Sequence, residues 1–207
     1  MTMTRSPAFS RSGGIFAASL ALVFAGCDSS KPAPASKGPT TPAAETAPKG
    51  ATAGPVELKA TDPAGLAKIL EDLKAEKKAV FVDFWATWCG PCRKAFPHTV
   101  ALARKYKADG LAVVTVALEE DESKREDALK FLTDQGADFT NLLSTTGAEQ
   151  AFKDFDIGDS GIPHYRIYDT SGELVKKFTN EGLPEERLAA EIEATLKTAL
   201  ESKDDAK

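Results

Sequence analysis

The chain has 207 residues, 42% of them apolar and 28% charged, which is the balance of one globular domain with appendages. A formal net charge of −5 leaves no basic footprint for nucleic acid, and three cysteines are too few to staple a small secreted scaffold. Two of them, Cys89 and Cys92, are separated by only two residues, a spacing that suggests redox or metal chemistry before structural bridging.

The N-terminal segment reads as an address. Arg5 and Arg11 precede an apolar run from Ile15 to Ala25, about the length of a signal-peptide core and short for a bilayer span. It ends in Phe24-Ala25-Gly26-Cys27, which resembles a bacterial lipobox with Phe24 in place of the usual Leu. That resemblance implies a lipoprotein signal peptide over residues 1–26 and a lipidated Cys27, which would anchor an extracytoplasmic chain to a membrane. The simpler alternative is a cleaved signal with an incidental cysteine. Residues 27–55 are mostly Pro, Ala, Ser, Thr, Gly and Lys, too poor in large apolar side chains to fold, and are expected to form a flexible tether. The folded domain is expected over residues 56–207.

Asp62-Pro63 supplies an N-cap and a first-turn proline for a helix in which Leu66, Ile69, Leu70 and Leu73 recur at helical spacing. Ala79 to Ala86 is nearly continuous apolar sequence, as in a strand covered on both faces, with Asp83 its one interior charge. A helix from about Arg93 to Ala108, interrupted by Pro97, then leads to a second buried strand at Leu111 to Leu118. Strand, helix and strand imply a parallel βαβ unit. The acidic run Glu119, Glu120, Asp121 and Glu122 reads as a solvated loop. Ser123 with Glu126 predicts a capping box opening a helix that Gly136 closes. A short apolar piece from Phe139 to Leu143 and a helical stretch over 147–154 follow. His164 to Asp169 and Glu173 to Phe178 form a hairpin about Thr170-Ser171-Gly172, and after Pro184 a closing helix carries Leu188, Ile192, Leu196 and Leu200 on one face. The fold class is α/β, one domain without internal repeats.

A cysteine placed just before a helix faces unpaired backbone N–H groups and the positive end of the helix dipole, which favour thiolate over thiol. Cys89 is therefore the expected nucleophile, with a pKa lowered from about 8.5 toward about 7. Cys92, in the first turn, is close enough to resolve a mixed disulfide, so the two form a redox pair. Val82-Asp83-Phe84-Trp85-Ala86-Thr87-Trp88-Cys89-Gly90-Pro91-Cys92-Arg93 resembles the active-site segment of thioredoxins residue for residue. The resemblance places Pro97 at the family's helix kink and Gly161-Ile162-Pro163 at its cis-proline. It implies a thioredoxin-like fold, a central mixed β-sheet flanked by helices. It also implies a catalytic Pro163 and a docking surface of Trp88, Gly90, Pro91 and Ile162, whose backbone would pair with a substrate strand. Asp83 is left with two readings, an edge-facing charge or a buried carboxyl of raised pKa; the resemblance favours the second and makes it the acceptor of the Cys92 proton. Trp85 reads as packing.

The long segment from Glu119 to Asp159, with the signal and tether, resembles the TlpA/ResA-type membrane-anchored branch, which carries an extra central helix and strand. That implies reduction of disulfides in exported proteins, fed by a membrane electron donor of the DsbD/CcdA type, by a monomer that calls for no cofactor and no metal. Ala95 stands where many members carry Glu, and Asp83 where many carry Asn, which pulls the site toward general thioredoxin and away from the alternative of a dedicated cytochrome c maturation thioreductase. Arg93 after Cys92 excludes a haem-attachment Cys-X-X-Cys-His. The non-enzymatic alternative is a metal-binding module of Cys89, Cys92 and either histidine, although one Cys-X-X-Cys supplies only half a structural zinc site. His98 is expected on the exposed part of its helix, and His164, beside Pro163, close enough to the dithiol to influence its titration. Peroxide reduction calls for a lone peroxidatic cysteine, and net oxidation fits poorly with Gly90-Pro91, which in the family accompanies potentials of roughly −270 mV.

Overall fold

Strand β2 (Ala79–Trp85) is buried at every position, and the other elements are arranged around it. The structure, a computed structural model, describes residues 55–179 and 182–202; the predicted signal peptide, Cys27 and nearly all of the tether lie outside them. Beside β2 run the parallel β3 (Leu111–Ala117) and the antiparallel β5 (His164–Tyr168). Beyond β3 come β4 (Thr140–Ser144) and β1 (Lys59–Thr61), both parallel, and beyond β5 comes the antiparallel β6 (Leu174–Thr179). The six-stranded mixed sheet has the order β1-β4-β3-β2-β5-β6.

Alternation along β2 divides the core. Phe81 and Trp85 pack toward α2 (Gly90–Tyr106), α3 (Arg125–Gln135) and α5 (Glu185–Glu201), whereas Val80, Val82 and Phe84 pack toward α1 (Pro63–Ala75) and α4 (Ala148–Asp154). A strand wedged between two helical layers must be apolar on both sides, which is why β2 reads as a continuous run. The α1 start is as expected: the Gly65 N–H donates to Asp62 Oδ1 at 2.7 Å, with Pro63 at the first position. The segment between β3 and the cis-proline supplies α3, β4 and α4, and β4 enters the sheet between β1 and β3.

Three local expectations need correction. The second helix starts at Gly90, three residues before Arg93, because Cys89 is itself the N-cap and Pro91 fits the first turn. The Ser123–Glu126 capping box does not form: Asp121 Oδ1 accepts from the Ser123 N–H at 2.8 Å and opens a 3-10 turn at Glu122–Lys124, so α3 begins at Arg125 without a side-chain cap. The short Asp side chain captures the nearby amide two residues on before the longer box can close. Finally, β1 was not among the expected elements. It has three residues and takes its strand form from pairing with β4, Ala60 opposite Leu143.

Leu196 on α5 is fully buried among Phe81, Tyr165 and Ile192. Leu196→Ala is expected to destabilise the oxidised protein by about 2–5 kcal/mol, seen in urea unfolding as a lower midpoint at unchanged slope.

Candidate active site

The site forms where β2 stops and α2 starts. Cys89 takes an extended backbone (φ −82°, ψ 99°) and caps the helix, its Sγ accepting from the Cys92 N–H at 3.2 Å. An acceptor in that position is the one the free amides at a helix start call for, and it is a stronger acceptor as thiolate than as thiol. Cys89 and Cys92 are joined by a disulfide of 2.00 Å, with their Cα atoms 5.3 Å apart, and both are buried.

The loop before β5 closes the site from the other side. The Ile162–Pro163 bond is cis, and the Ile162 carbonyl oxygen lies 3.7 Å from Cys89 Sγ. The structure thus brings Pro163 and Ile162 opposite the dithiol. Beside them a cleft of about 310 Å³ is lined by Gly90, Pro91, Ala95, Pro163, Tyr165 and Leu188. It shares Ala95, Tyr165 and Leu188 with a larger cavity of about 600 Å³ between α2 and α5. Trp88 is 48% exposed, the most open large apolar side chain described, and lines a separate cleft of about 500 Å³ with Thr87, Arg93 and Phe131. Gly90 is not there for lack of room, since a Cβ on it would meet nothing within 4 Å.

Asp83 takes the buried of its two readings. It is 3% exposed, and Thr99 Oγ1 on α2 donates to its Oδ2 at 2.7 Å. Burial pushes its pKa up to about 7, against the smaller downward pull of the Thr99 hydrogen bond. Cys92, Phe96 and Thr99 fall at helical i, i+4 and i+7 spacing and are all buried, so Asp83 lies under the helix face that carries Cys92. Such a group exchanges protons near neutral pH. Trp85 packs between Phe96 and Phe131 at centroid distances of 5.0 and 4.9 Å, as a core residue.

Other expectations change. Glu119 is no part of a solvated loop: it is 2% exposed, and its Oε1 and Oε2 accept from the Thr87 N–H at 2.8 Å and the Thr87 hydroxyl at 2.7 Å. The register of β3 turns this one residue of the acidic run inward, while Glu120, Asp121 and Glu122 are exposed. His98 is half-buried, and its buried Nε2 has no partner among the described residues; desolvation lowers its pKa. His164 lies on the sheet face opposite α2, its ring edge-on to Phe84. Burial first, then the charges of Arg166 and Lys177, push its pKa down to about 4, so it is a neutral acceptor for the Arg166 Nε–H at 3.3 Å. That placement does not support the expected influence on the dithiol. Among the described residues no group of three or more His, Cys, Asp or Glu side chains is placed to hold a metal ion.

The Redoxin family matches residues 40–196. The thiol-disulfide oxidoreductase ResA of Bacillus subtilis (strain 168) is 32% identical over 110 residues, covering 53% of this chain and 56% of that protein. The ResA of Bacillus cereus is 32% identical over 126 residues, 61% of this chain and 68% of that one. The chain thus spans little more than half the length of the first of these relatives and about two thirds of the second. A thioredoxin-like protein of Porphyromonas gingivalis superposes at a TM-score of 0.50 with 17% identity, over 61% of this chain and 78% of that one, a likeness of fold alone.

The Asp83 environment has a thermodynamic consequence. With a folded pKa of about 7 against 3.8 unfolded, the folded state holds a proton that the unfolded chain has released between those values, so stability falls as pH rises through that window. Asp83→Asn removes the effect. Its stability relative to the parent is expected to rise by on the order of 2–4 kcal/mol between pH 4 and pH 8 in urea unfolding. A difference that does not vary with pH would mean that the carboxyl is not buried in solution.

Proposed function

The chain belongs to the Redoxin family and is a TlpA/ResA-like member of the thioredoxin superfamily, and on that footing we propose that it is an extracytoplasmic thiol:disulfide oxidoreductase that reduces disulfides of exported proteins through Cys89 and Cys92. The observation that carries the reading is Cys89 Sγ capping α2 while the Ile162 carbonyl faces it at 3.7 Å. A nucleophilic sulfur and a backbone edge for an extended substrate stand together there.

In the reduced protein the Cys89 thiolate attacks one sulfur of the substrate disulfide, forming a mixed disulfide and expelling the other substrate sulfur as a thiolate, which takes a proton from solvent. The substrate strand lies along Ile162 and Pro163, with Trp88, Gly90 and Pro91 as the opposite wall. Asp83 takes the Cys92 proton, and the Cys92 thiolate attacks Cys89 Sγ, releasing the second substrate thiolate. Two electrons have then passed to the substrate and the Cys89–Cys92 disulfide remains. A membrane dithiol donor of the DsbD/CcdA type is proposed to return them. Ala95 and Asp83 favour general reduction over a role confined to cytochrome c maturation. The lipidated Cys27 and the tether belong to the same proposal, resting on the sequence of the N-terminal segment, and a monomeric state belongs to it by resemblance to the family.

Cys89→Ser is expected to lower dithiothreitol-driven reduction of insulin at least about a hundredfold, whereas Cys92→Ser attacks once and accumulates a mixed disulfide visible by intact mass. Substantial turnover by Cys89→Ser would remove the proposed nucleophile. Cys27→Ala is expected to abolish palmitate labelling and move the protein from the membrane to the soluble fraction; retention of both would overturn the lipid anchor.

A further inference from the structure

Only three residues separate the end of β2 from the nucleophile, and the two residues that follow β3 hold two of them. The Leu118 N–H donates to the Trp85 carbonyl at 2.8 Å, carrying the β2–β3 pairing one step past the strands. The Trp88 indole N–H donates to the Leu118 carbonyl at 3.3 Å, and the Cys89 N–H closes a turn onto the Ala86 carbonyl at 3.2 Å. The remaining residue, Thr87, is gripped by Glu119, whose two oxygens take its amide and its hydroxyl.

This carboxyl sits at a costly place. It is 2% exposed and forms no ion pair with any described cation. Burial pushes its pKa up, the bonds from Thr87 pull it partly back, and the nearby Asp127 and Glu120 push it up again. A carboxyl buried without a cation is expensive, so an apolar residue here would be cheaper for the fold alone. What a carboxyl offers is two acceptor oxygens in a fixed fork, matching the two donors of one residue.

We infer that Glu119 is a positioning residue for the Cys89 nucleophile, acting through Thr87 to fix the loop that sets the sulfur over the start of α2. The inference rests on the Cys89 attack proposed above. Without the fork, the Thr87 amide loses its partner and the Thr87–Trp88 segment can turn, carrying Cys89 off the helix amides that stabilise its thiolate. Displacement of a reacting group by about 1 Å is enough to cost up to about a hundredfold in rate.

The test uses the full chain with Glu119→Ala, Glu119→Gln and Thr87→Val, and two readouts: the rate constant for insulin reduction and the pH midpoint of Cys89 alkylation by iodoacetamide, mapped by mass spectrometry. Glu119→Ala is expected to be about tenfold slower or more, with its midpoint moved toward the free-thiol value of about 8.5. Gln keeps an acceptor for the amide and a donor for the hydroxyl oxygen, so Glu119→Gln is expected within about threefold of the parent. Thr87→Val, which loses only the hydroxyl contact, is expected to fall between them and serves if Glu119→Ala does not fold. A Glu119→Ala or Thr87→Val protein with the parent's rate and midpoint overturns the inference. So does a Glu119→Gln protein as impaired as the alanine variant, since charge and not the fork would then matter. Absence of disulfide exchange in the parent would instead count against the proposed function.

Discussion

The start of α2 at the end of β2 is the constraint on which the rest of the structure depends. A helix begins with amides that have no partner, and here they meet a cysteine sulfur at the N-cap. For that sulfur to be held, β2 must end at a fixed place, and its burial between parallel β3 and antiparallel β5 ensures that it does. The antiparallel sense of β5 does a second job. Its first residue, His164, pairs with Phe84 near the end of β2, so the loop before it, with the cis Ile162–Pro163 bond, arrives beside Cys89. Helix start and cis-proline loop meet because of strand direction, not because they are near in sequence.

Two buried carboxyls flank this junction, and their surroundings divide their work. Asp83 receives one hydrogen bond, from Thr99, and its pKa near 7 suits it to take and return a proton. Glu119 receives two from a single residue of the loop, which suits it to hold a backbone in place. Each is the kind of burial that the core alone would not favour: Asp83 lies on β2, and Glu119, just past β3, holds the loop that β2 leads into.

Much of this was legible in the sequence because local chemistry agreed with tertiary environment. Asp62-Pro63, the run through β2, Gly136 at the end of α3 with φ +65° and the β5–β6 hairpin all carry signals within a few residues. The active-site segment was legible through its resemblance to thioredoxins, which also singled out Ile162 and Pro163. What escaped had its cause elsewhere in the chain. Strand β1 exists through its pairing with β4. Glu119 looked like the first of four solvated charges, and only its place directly after the apolar run of β3, opposite a Thr-bearing loop, hinted that it points inward. His98 was expected exposed and is half-buried, since α5 beside it cannot be read from its neighbours in sequence, and neither can the side of the sheet that His164 occupies.

The central claim, a dithiol poised to reduce, is tested most directly by the reduction potential of the Cys89–Cys92 pair, from equilibration with defined dithiothreitol or glutathione ratios and counting of free thiols. The account predicts a reversible two-electron couple near that of thioredoxin, roughly −270 mV. A value near −120 mV, or no reversible disulfide at all, would contradict it.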